Sequence, residues 1–288
     1  MTSHLVRMGG ITILLVLSMF YPFLPGDYDG LAMALSTTAQ LLGTVGLLLV
    51  PIGALWLVYE ARKRANRNHS INTDRGYYFA LASLIAASIV AIAVSFSMFF
   101  GFGISFGAIT LALWFYLVSR LIPRVKLLKK GETHTINPTP FYLIFIPIAL
   151  LLFQIMFATS ATEFSRNRAI MKSAELINEI EKHHAAQGRY PSSLLAVWKD
   201  FDPSVVGVER FHYAPNGNAY NLFFEQPRFL LDKIGTQEFV MYNKLDEHVM
   251  TSHAAWILIS SPEQLKSRQG WYAVHDTSTP HWKTFLFD

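Results

Sequence analysis

The sequence predicts a membrane α-helical bundle of about five transmembrane helices, followed by a C-terminal α+β domain in which one long helix packs on an antiparallel sheet. Three observations carry this fold class. Five apolar runs are each long enough to cross a bilayer. The last of them, within Thr139 to Pro191, turns from apolar to amphipathic with no turn residue at the change. After Pro191 the pattern becomes short aromatic-rich strands separated by turn signals. Composition agrees: 52% of the 288 residues are hydrophobic and 15% charged, with a mean hydropathy of +0.30, too apolar for a soluble chain of this size.

The net charge of +4 is an average over two unlike parts. Met1 to Thr162 holds 11 Lys and Arg against 5 Asp and Glu, and the remainder 13 against 15. The positive excess therefore lies in loops that flank spans, which gives no support to nucleic-acid binding. With no cysteine, disulfides, thiolate metal sites and a cysteine nucleophile are excluded.

Taken in order, Gly9 to Leu24, preceded by Arg7, reads as a retained first span, and no small-x-small cleavage site precedes Gly26. Asp27 and Asp29 in GDYDG read as a polar turn between spans rather than a calcium loop. Leu31 to Tyr59 is the second span, ending at Arg62, Lys63, Arg64, Arg67 and Arg75. Tyr77 to Phe100 and Gly103 to Leu121 form a hairpin around Gly101-Phe-Gly103, followed by Arg120, Arg124, Lys126, Lys129 and Lys130. Alternating spans place all these basic segments on one side, the cytoplasmic one, and everything after Ala161 on the other. The chain divides into a four-span region (1–138), a fifth span (139–163) and an extracytoplasmic domain (164–288).

None of the five runs contains an interior Asp, Glu, Lys, Arg or His, the groups that proton relays and intramembrane active sites use. Gln40 and Gln154 are expected to bond across helices, and Gly103-x-x-x-Gly107 suits close helix approach.

The last span starts with Thr139 as a cap and Pro140 in the first turn, and is uncharged from Phe141 to Ala161. Beyond it Ile170, Ala174, Ile177 and Ile180 recur at helical spacing against a charged face, and Gly188 and Pro191 end the pattern. Such a helix is roughly 70 Å long against a hydrocarbon core of about 30 Å, so more than half projects from the bilayer. Ser192 to Trp198 is expected to fold Leu194, Leu195 and Trp198 back onto it. Phe211 to Tyr213 and Tyr220 to Phe224 read as a hairpin; Phe239 to Tyr242, Ala255 to Ile259, Trp271 to His275 and Trp282 to Phe287 read as further strands.

These features carry a resemblance. The apolar-then-amphipathic helix, the Gly188-Arg-Tyr190-Pro191-Ser-Ser-Leu194 junction and the hairpin with Tyr213, Gly217 and Tyr220 resemble type IV pilins and type II secretion pseudopilins, over about Phe141 to Glu225. The resemblance implies a spine helix on an antiparallel sheet and a role in the bacterial envelope. The stretch before the spine, HTINPTPFYLIF, lacks the cleavage glycine and the glutamate of pilin precursors. A polymerising pilin leaves the bilayer with one helix; here about four more spans would have to leave, each side chain costing roughly 1.5 to 3 kcal/mol. The expectation is a pilin-like domain kept at the membrane.

For chemistry, His183, His184, His212, His248, His253, His275 and His281 are scattered and read as exposed or hydrogen-bonded rather than metal ligands, and Ser260, Ser261 and Asp276 lack the surroundings of a hydrolase nucleophile. Trp198, Trp256, Trp271 and Trp282 read as core. No Walker, Rossmann or HExxH pattern is present, so neither an enzyme nor a cofactor is expected. The leading expectation is a multi-pass protein of the bacterial inner membrane, its N-terminus cytoplasmic and its C-terminal domain periplasmic or extracellular. It would be a non-polymerising structural or interaction component whose partners are the lipid bilayer, envelope, secretion or pilus proteins, or a second copy, and not nucleic acid. The alternative is a sensory protein whose aromatic sheet, with Trp271 and Trp282, recognises a small molecule or glycan.

Overall fold

A computed structural model describes residues 2–65, 74–128, 137–197, 202–216, 218–232, 236–248 and 272–287. Among them, five helices are long and apolar enough to cross a membrane, which marks the chain as a membrane protein. The chain forms two compact units: Met1–Met19 with Ala34–Met156, and Phe20–Met33 with Phe157–Asp288.

The first unit is helical. Its elements are α1 (Thr2–Phe20), α2 (Ala32–Thr44), a 3₁₀ turn (Val45–Leu49), α3 (Val50–Ala65), α4 (Asp74–Phe102), α5 (Ile104–Leu128) and the first part of α6 (Thr139–Gln187). The second predicted span is α2, the 3₁₀ turn and α3 in succession. The tightened turn directly precedes Pro51, which has no N–H to give to the helix and crowds the carbonyl four residues back. Between α4 and α5 only Gly103 is non-helical, at φ +98°; Gly101 belongs to α4, so the turn is tighter than the three residues expected.

Small residues decide how these helices approach. A Cβ on Gly43 would lie 3.0 Å from Leu150 Cβ, one on Gly46 3.2 Å from Pro147 Cγ, and one on Gly53 2.9 Å from Ile144 Cγ1. Ascending positions on α2 and α3 meet descending positions on α6, so these segments run antiparallel at backbone-to-backbone range. Of the expected GxxxG pair, Gly107 is the packing member, where a Cβ would be 2.7 Å from Phe99 Cβ. Gly103 has open space around it and serves the turn.

Gln154 Nε2 donates to Gln40 Oε1 at 3.1 Å, Gln40 Nε2 to Ser36 Oγ at 2.9 Å, and Ser36 Oγ to the Met19 carbonyl at 2.5 Å. This buried chain ties α6, α2 and α1 together, the packing role expected of the two glutamines. At one end of the bundle Trp56, Tyr59 and Ala80 cluster with Phe79, Val125 and Leu143, and Tyr142 donates to the His4 carbonyl at 3.1 Å. Arg62, Lys63 and Arg64 at the end of α3, and Arg124 and Lys126 at the end of α5, therefore flank the same end as the start of α1. Arg67, Lys129 and Lys130 lie outside the described residues.

The second unit places the rest of α6 against a five-stranded antiparallel sheet: β1 (His212–Asn216), β2 (Ala219–Glu225), β3 (Gln237–Asn243), β4 (Tyr272–Asp276) and β5 (Trp282–Phe287), in the order β1-β2-β3-β5-β4. The start of α6 is capped by Asn137, whose Oδ1 accepts the Thr139 N–H at 3.0 Å; Thr139 itself is inside the helix. At the other end Gly188 stands at φ +69° and its N–H closes on the His184 carbonyl at 2.8 Å, as its freedom from a Cβ allows.

The buried stripe of α6 is Ala169, Ile170, Ser173, Leu176 and Ile180, with Ile177 at its edge. Ala174, expected inside, is exposed; the stripe is set by Leu176, one position from Ile177, which rotates the inward face by one residue. On the sheet side the stripe meets Tyr220, Leu222, Phe224, Val240 and Trp282. The opposite sheet face carries Phe223, Met241 and Phe285. After Pro191 a 3₁₀ turn (Leu194–Val197) sends Leu194 and Val197 to the core, whereas Leu195 is 76% exposed: a 3₁₀ turn repeats every three residues and leaves the intervening leucine outside. Trp198 and the expected Ala255 to Ile259 strand lie outside the described residues.

Candidate functional site

Two of the residues that carried the resemblance, Tyr190 and Tyr220, meet at one carboxylate. Glu181 sits two turns before the end of α6. Because Gly188 turns the chain back, Tyr190 stacks on His184 with ring centroids 4.1 Å apart, and its hydroxyl reaches Glu181 Oε1 at 3.4 Å. Tyr220, in the middle of the sheet, approaches the same oxygen at 3.4 Å. Lys244, just past β3, donates to Glu181 Oε2 at 2.7 Å. Tyr213 of β1 donates to the Pro191 carbonyl at 2.8 Å and lies 5.6 Å, ring to ring, from Tyr220. Tyr242 adds a fourth ring 5.8 Å from Tyr220 and rests on Trp282 at 5.5 Å. Gly217 lies outside the described residues.

The electrostatics of this cluster follow from burial. Burial, then the nearby Tyr190, pushes the Tyr213 hydroxyl up to about 12. Tyr220 is pushed further in the same direction, first by burial and then by the charges and hydroxyls around it, and Tyr190 and Tyr242 are raised by burial and by Glu181. The hydrogen bond to Glu181 raises Lys244. All four phenols stay protonated near neutrality, as hydrogen-bonding groups and packing surfaces. The arrangement fastens the helix end, the Tyr190-Pro191 junction and the sheet.

A second carboxylate is held deeper. Glu238 of β3 accepts from Arg166 of α6 at 2.7 Å and lies 3.4 Å from Arg228 Nε, and Arg228 also donates to the Thr236 hydroxyl. Next to it Gln226 Nε2 donates to Ser165 Oγ at 2.7 Å. A third polar group lies at the far end of β3. Asn243 Nδ2 donates to Asn221 Oδ1 at 2.8 Å, and His248 Nε2 is 2.9 Å from the His281 carbonyl. Desolvation lowers the His248 pKa.

Of the histidines, His184 stacks on Tyr190, His212 stacks on Phe223 at 5.1 Å and His248 lies beside Phe285, while His275 and His281 are exposed, His281 Nδ1 3.1 Å from Asp246. Among the described residues no group of three His, Asp or Glu forms a metal-binding cluster. Trp282 is 4% exposed, packed between Phe224 and Tyr242. Trp256, Trp271, His253, Ser260 and Ser261 lie outside the described residues.

The segment read as a polar turn between spans is also part of the second unit. Val206 N–H donates to the Leu24 carbonyl at 3.0 Å, Gly26 N–H to Ser204 at 3.2 Å, Asp29 N–H to Val206 at 3.0 Å and Gly207 N–H to Pro22 at 2.8 Å, with Pro25 and Val205 bridged antiparallel. Asp29 is spent locally, accepting from the Leu31 N–H at 2.8 Å and the Tyr21 hydroxyl at 2.9 Å. The sequence signal for this docking was the Phe20-Tyr-Pro-Phe23 group, aromatic and proline-broken, hence suited to packing more than to spanning. Comparisons of the chain with protein-family models, with curated proteins and with solved structures return no match.

Proposed function

We propose that this is a multi-pass protein of the bacterial cytoplasmic membrane that presents a pilin-like head outside the cell membrane as a non-polymerising interaction component of the envelope. The observation that carries this reading is the head's construction on a transmembrane helix. The last span and the spine are one 49-residue helix, whose upper stripe supplies half the core beneath an antiparallel sheet. The joint at Glu181, reached by Tyr190, Tyr220 and Lys244, ties the end of the spine to the sheet. Basic residues flanking one end of the bundle support a cytoplasmic location for that end. Retention follows from the other spans, whose extraction with the spine would expose four further apolar helices to water.

A photo-crosslinking amino acid at the exposed edge-strand residue Val274 or at Leu245 of the head tests this in cells. Adducts with envelope proteins or with another copy are expected; only monomers across several positions and crosslinkers would overturn it. Orientation is checked by an impermeant maleimide, which is expected to label Val274→Cys from outside the cell and Arg62→Cys only after permeabilisation. With Trp282 in the core, no observation favours the ligand-binding alternative over this reading.

A further inference from the structure

The second half of α5 carries exposed positive charge and exposed apolar surface on one side. Three contacts define its other side, the one turned to the neighbouring helices. A Cβ on Gly107 would lie 2.7 Å from Phe99 Cβ, Trp114 Nε1 donates to Ser88 Oγ at 3.3 Å, and Val125 packs on the cluster of Trp56, Tyr59 and Ala80. At about 100° per residue these three positions fall on one face, Tyr116 and Arg120 lie roughly 120° to 180° round from it, and Arg124 roughly 90°. All three are exposed, and α5 runs on through Pro123 to Leu128. Arg120 is already oriented: its Nη2 donates to the Tyr116 hydroxyl at 3.4 Å, and its guanidinium stands 5.5 Å from the centre of that ring.

These cations have no counter-charge in the chain. From Arg75 to Gly131 there is no Asp or Glu, and among the described residues no carboxylate is within ion-pair distance of Arg120 or Arg124. Glu60, at the same end of the bundle, accepts from Trp56 Nε1 at 3.3 Å. The face that bears Tyr116 and Arg120 continues toward the Gly103 turn as Leu113 and Ile109, 57% and 66% exposed. Only 6% of the apolar stretch of α5 is buried inside the protein, against 22 to 28% in the other four helices. The uncharged run from Ile104 to Ser119 is roughly 24 Å long at 1.5 Å per residue, short of a hydrocarbon core of about 30 Å. A span whose turn reaches one boundary therefore brings Arg120 just inside the other, where a guanidinium extends to lipid phosphate. We infer that Tyr116, Arg120 and Arg124 form a binding site for the phosphate of an anionic phospholipid in the leaflet on the basic side, with an acyl chain lying along Leu113 and Ile109. Two guanidiniums one turn apart supply paired donors to phosphate oxygens. The occupant is a lipid and not a soluble phosphate, because the apolar track leads from the charges toward the middle of the span.

This inference rests on the proposed membrane placement, and the test separates the two. The full-length protein in phosphatidylcholine vesicles is given chain-spin-labelled phosphatidylglycerol or phosphatidylcholine, and the motionally restricted fraction of each label gives their relative affinity. Phosphatidylglycerol is expected to be preferred several-fold; a basic side chain at an anionic lipid surface contributes about fivefold. Arg120→Gln with Arg124→Gln should remove most of that preference, and Arg120→Lys with Arg124→Lys should keep part of it. Lys126→Gln, on another side of α5, should keep nearly all. Undiminished preference in the double glutamine variant overturns the inference, as does an equal loss from Lys126→Gln, which would mean a diffuse basic surface. Displacement of the labelled lipid by glycerol 3-phosphate at equal concentration would assign the site to a soluble phosphate and overturn it too. A restricted fraction without headgroup preference overturns it and leaves the membrane reading standing, whereas no restricted fraction with either label overturns both. If the double glutamine variant does not fold, Arg120→Gln and Arg124→Gln singly are each expected to lower the preference, and no loss from either overturns the inference.

Discussion

Phe23 lies parallel to Phe229, planes 3° apart and centroids 4.2 Å apart, although 206 residues of chain separate them. One ring belongs to the 3₁₀ turn (Tyr21–Phe23) that follows α1, the other to the loop after β2. Phe229→Ala is expected to destabilise the second unit by about 3 to 5 kcal/mol, the usual loss for a fully buried phenylalanine. In a double-mutant cycle with Phe23→Ala the coupling should be about 1 kcal/mol. Thermal unfolding of the full-length protein in detergent, followed by near-ultraviolet circular dichroism, measures both; additive losses would mean that the stack adds nothing beyond burial.

The same docking can be disturbed from the backbone side. A Cβ at Gly207 would sit 2.7 Å from the Pro22 carbonyl oxygen and 3.0 Å from Pro227 Cβ. Gly207→Val should therefore detach residues 20–33 from the second unit, exposing Gly26 and Asp29 amides to hydrogen exchange. Gly188→Ala, forced to φ +69°, is expected to cost about 1 kcal/mol without that exchange signature. Gly101→Ala, with open space at its Cβ, is the neutral control.

Two carboxylates should behave differently. Glu238 neutralises two arginines in a site where all three side chains are 20% exposed or less, so Glu238→Ala is expected to cost about 3 kcal/mol or more by stranding both cations. Glu238→Gln should lose less. Glu181 is partly solvated, its contacts to Tyr190 and Tyr220 are long, and its partner Lys244 is about half exposed. Glu181→Ala is expected to cost about 1 to 2 kcal/mol, from the lost contacts to Lys244, Tyr190 and Tyr220, and Lys244→Ala under about 1 kcal/mol.

In the bundle, Gly53→Leu drives a side chain into Ile144, Leu143 and the Pro140 carbonyl and is expected to abolish the α3–α6 contact. This would be seen as loss of a disulfide-crosslinkable pair across that interface. A cycle of Gln40→Leu and Gln154→Leu should give a coupling of about 0.6 to 1.7 kcal/mol, the range found for polar contacts between membrane helices.

The head should lose stability at both ends of the pH scale. Tyr213 is raised from 10 to about 12 in the fold, so its contribution is intact below pH 10 and lost as pH rises from 10 toward 12. Phenolate absorbance should appear late, together with unfolding. His248 is lowered from 6.5, so its contribution is intact above pH 6.5 and declines as pH falls below that value, when the unfolded chain takes up a proton that the buried imidazole refuses. Melting temperature against pH checks both, and His248→Gln should flatten the acid limb.

The parts of this protein legible in the sequence are those dictated by local periodicity. The uncharged runs gave the spans, and the switch from apolar to amphipathic at Ala161 anticipated a helix observed as Thr139–Gln187. The aromatic alternation around Tyr213 and Tyr220 located the β1–β2 hairpin. Errors occurred where neighbouring positions were nearly equivalent. Ala174 and Leu195 point outward because Leu176 and the tighter 3₁₀ turn set the phase of burial, and periodicity alone is uncertain by one residue. The candidate site was half visible: Tyr190, Tyr213 and Tyr220 stood out as a motif, while Glu181 and Lys244 looked like ordinary charges on a solvated face.

By itself the sequence determined where the long apolar helices lie, where charge is excluded, and where the spine ends, because hydrophobic length, helix period and the freedom of Gly188 act within a few residues of chain. Only the tertiary structure decided what those pieces meet. The glycines at 43, 46 and 53 are contact points because α6 descends against them, Glu181 is a joint because two tyrosines and Lys244 arrive from a loop, a strand and a turn, and residues 20–33 belong to the second unit because their amides find carbonyls at 204 and 206. Such pairings join groups that are distant along the chain, and are fixed by the summed packing of whole elements rather than by any pattern in the segment itself.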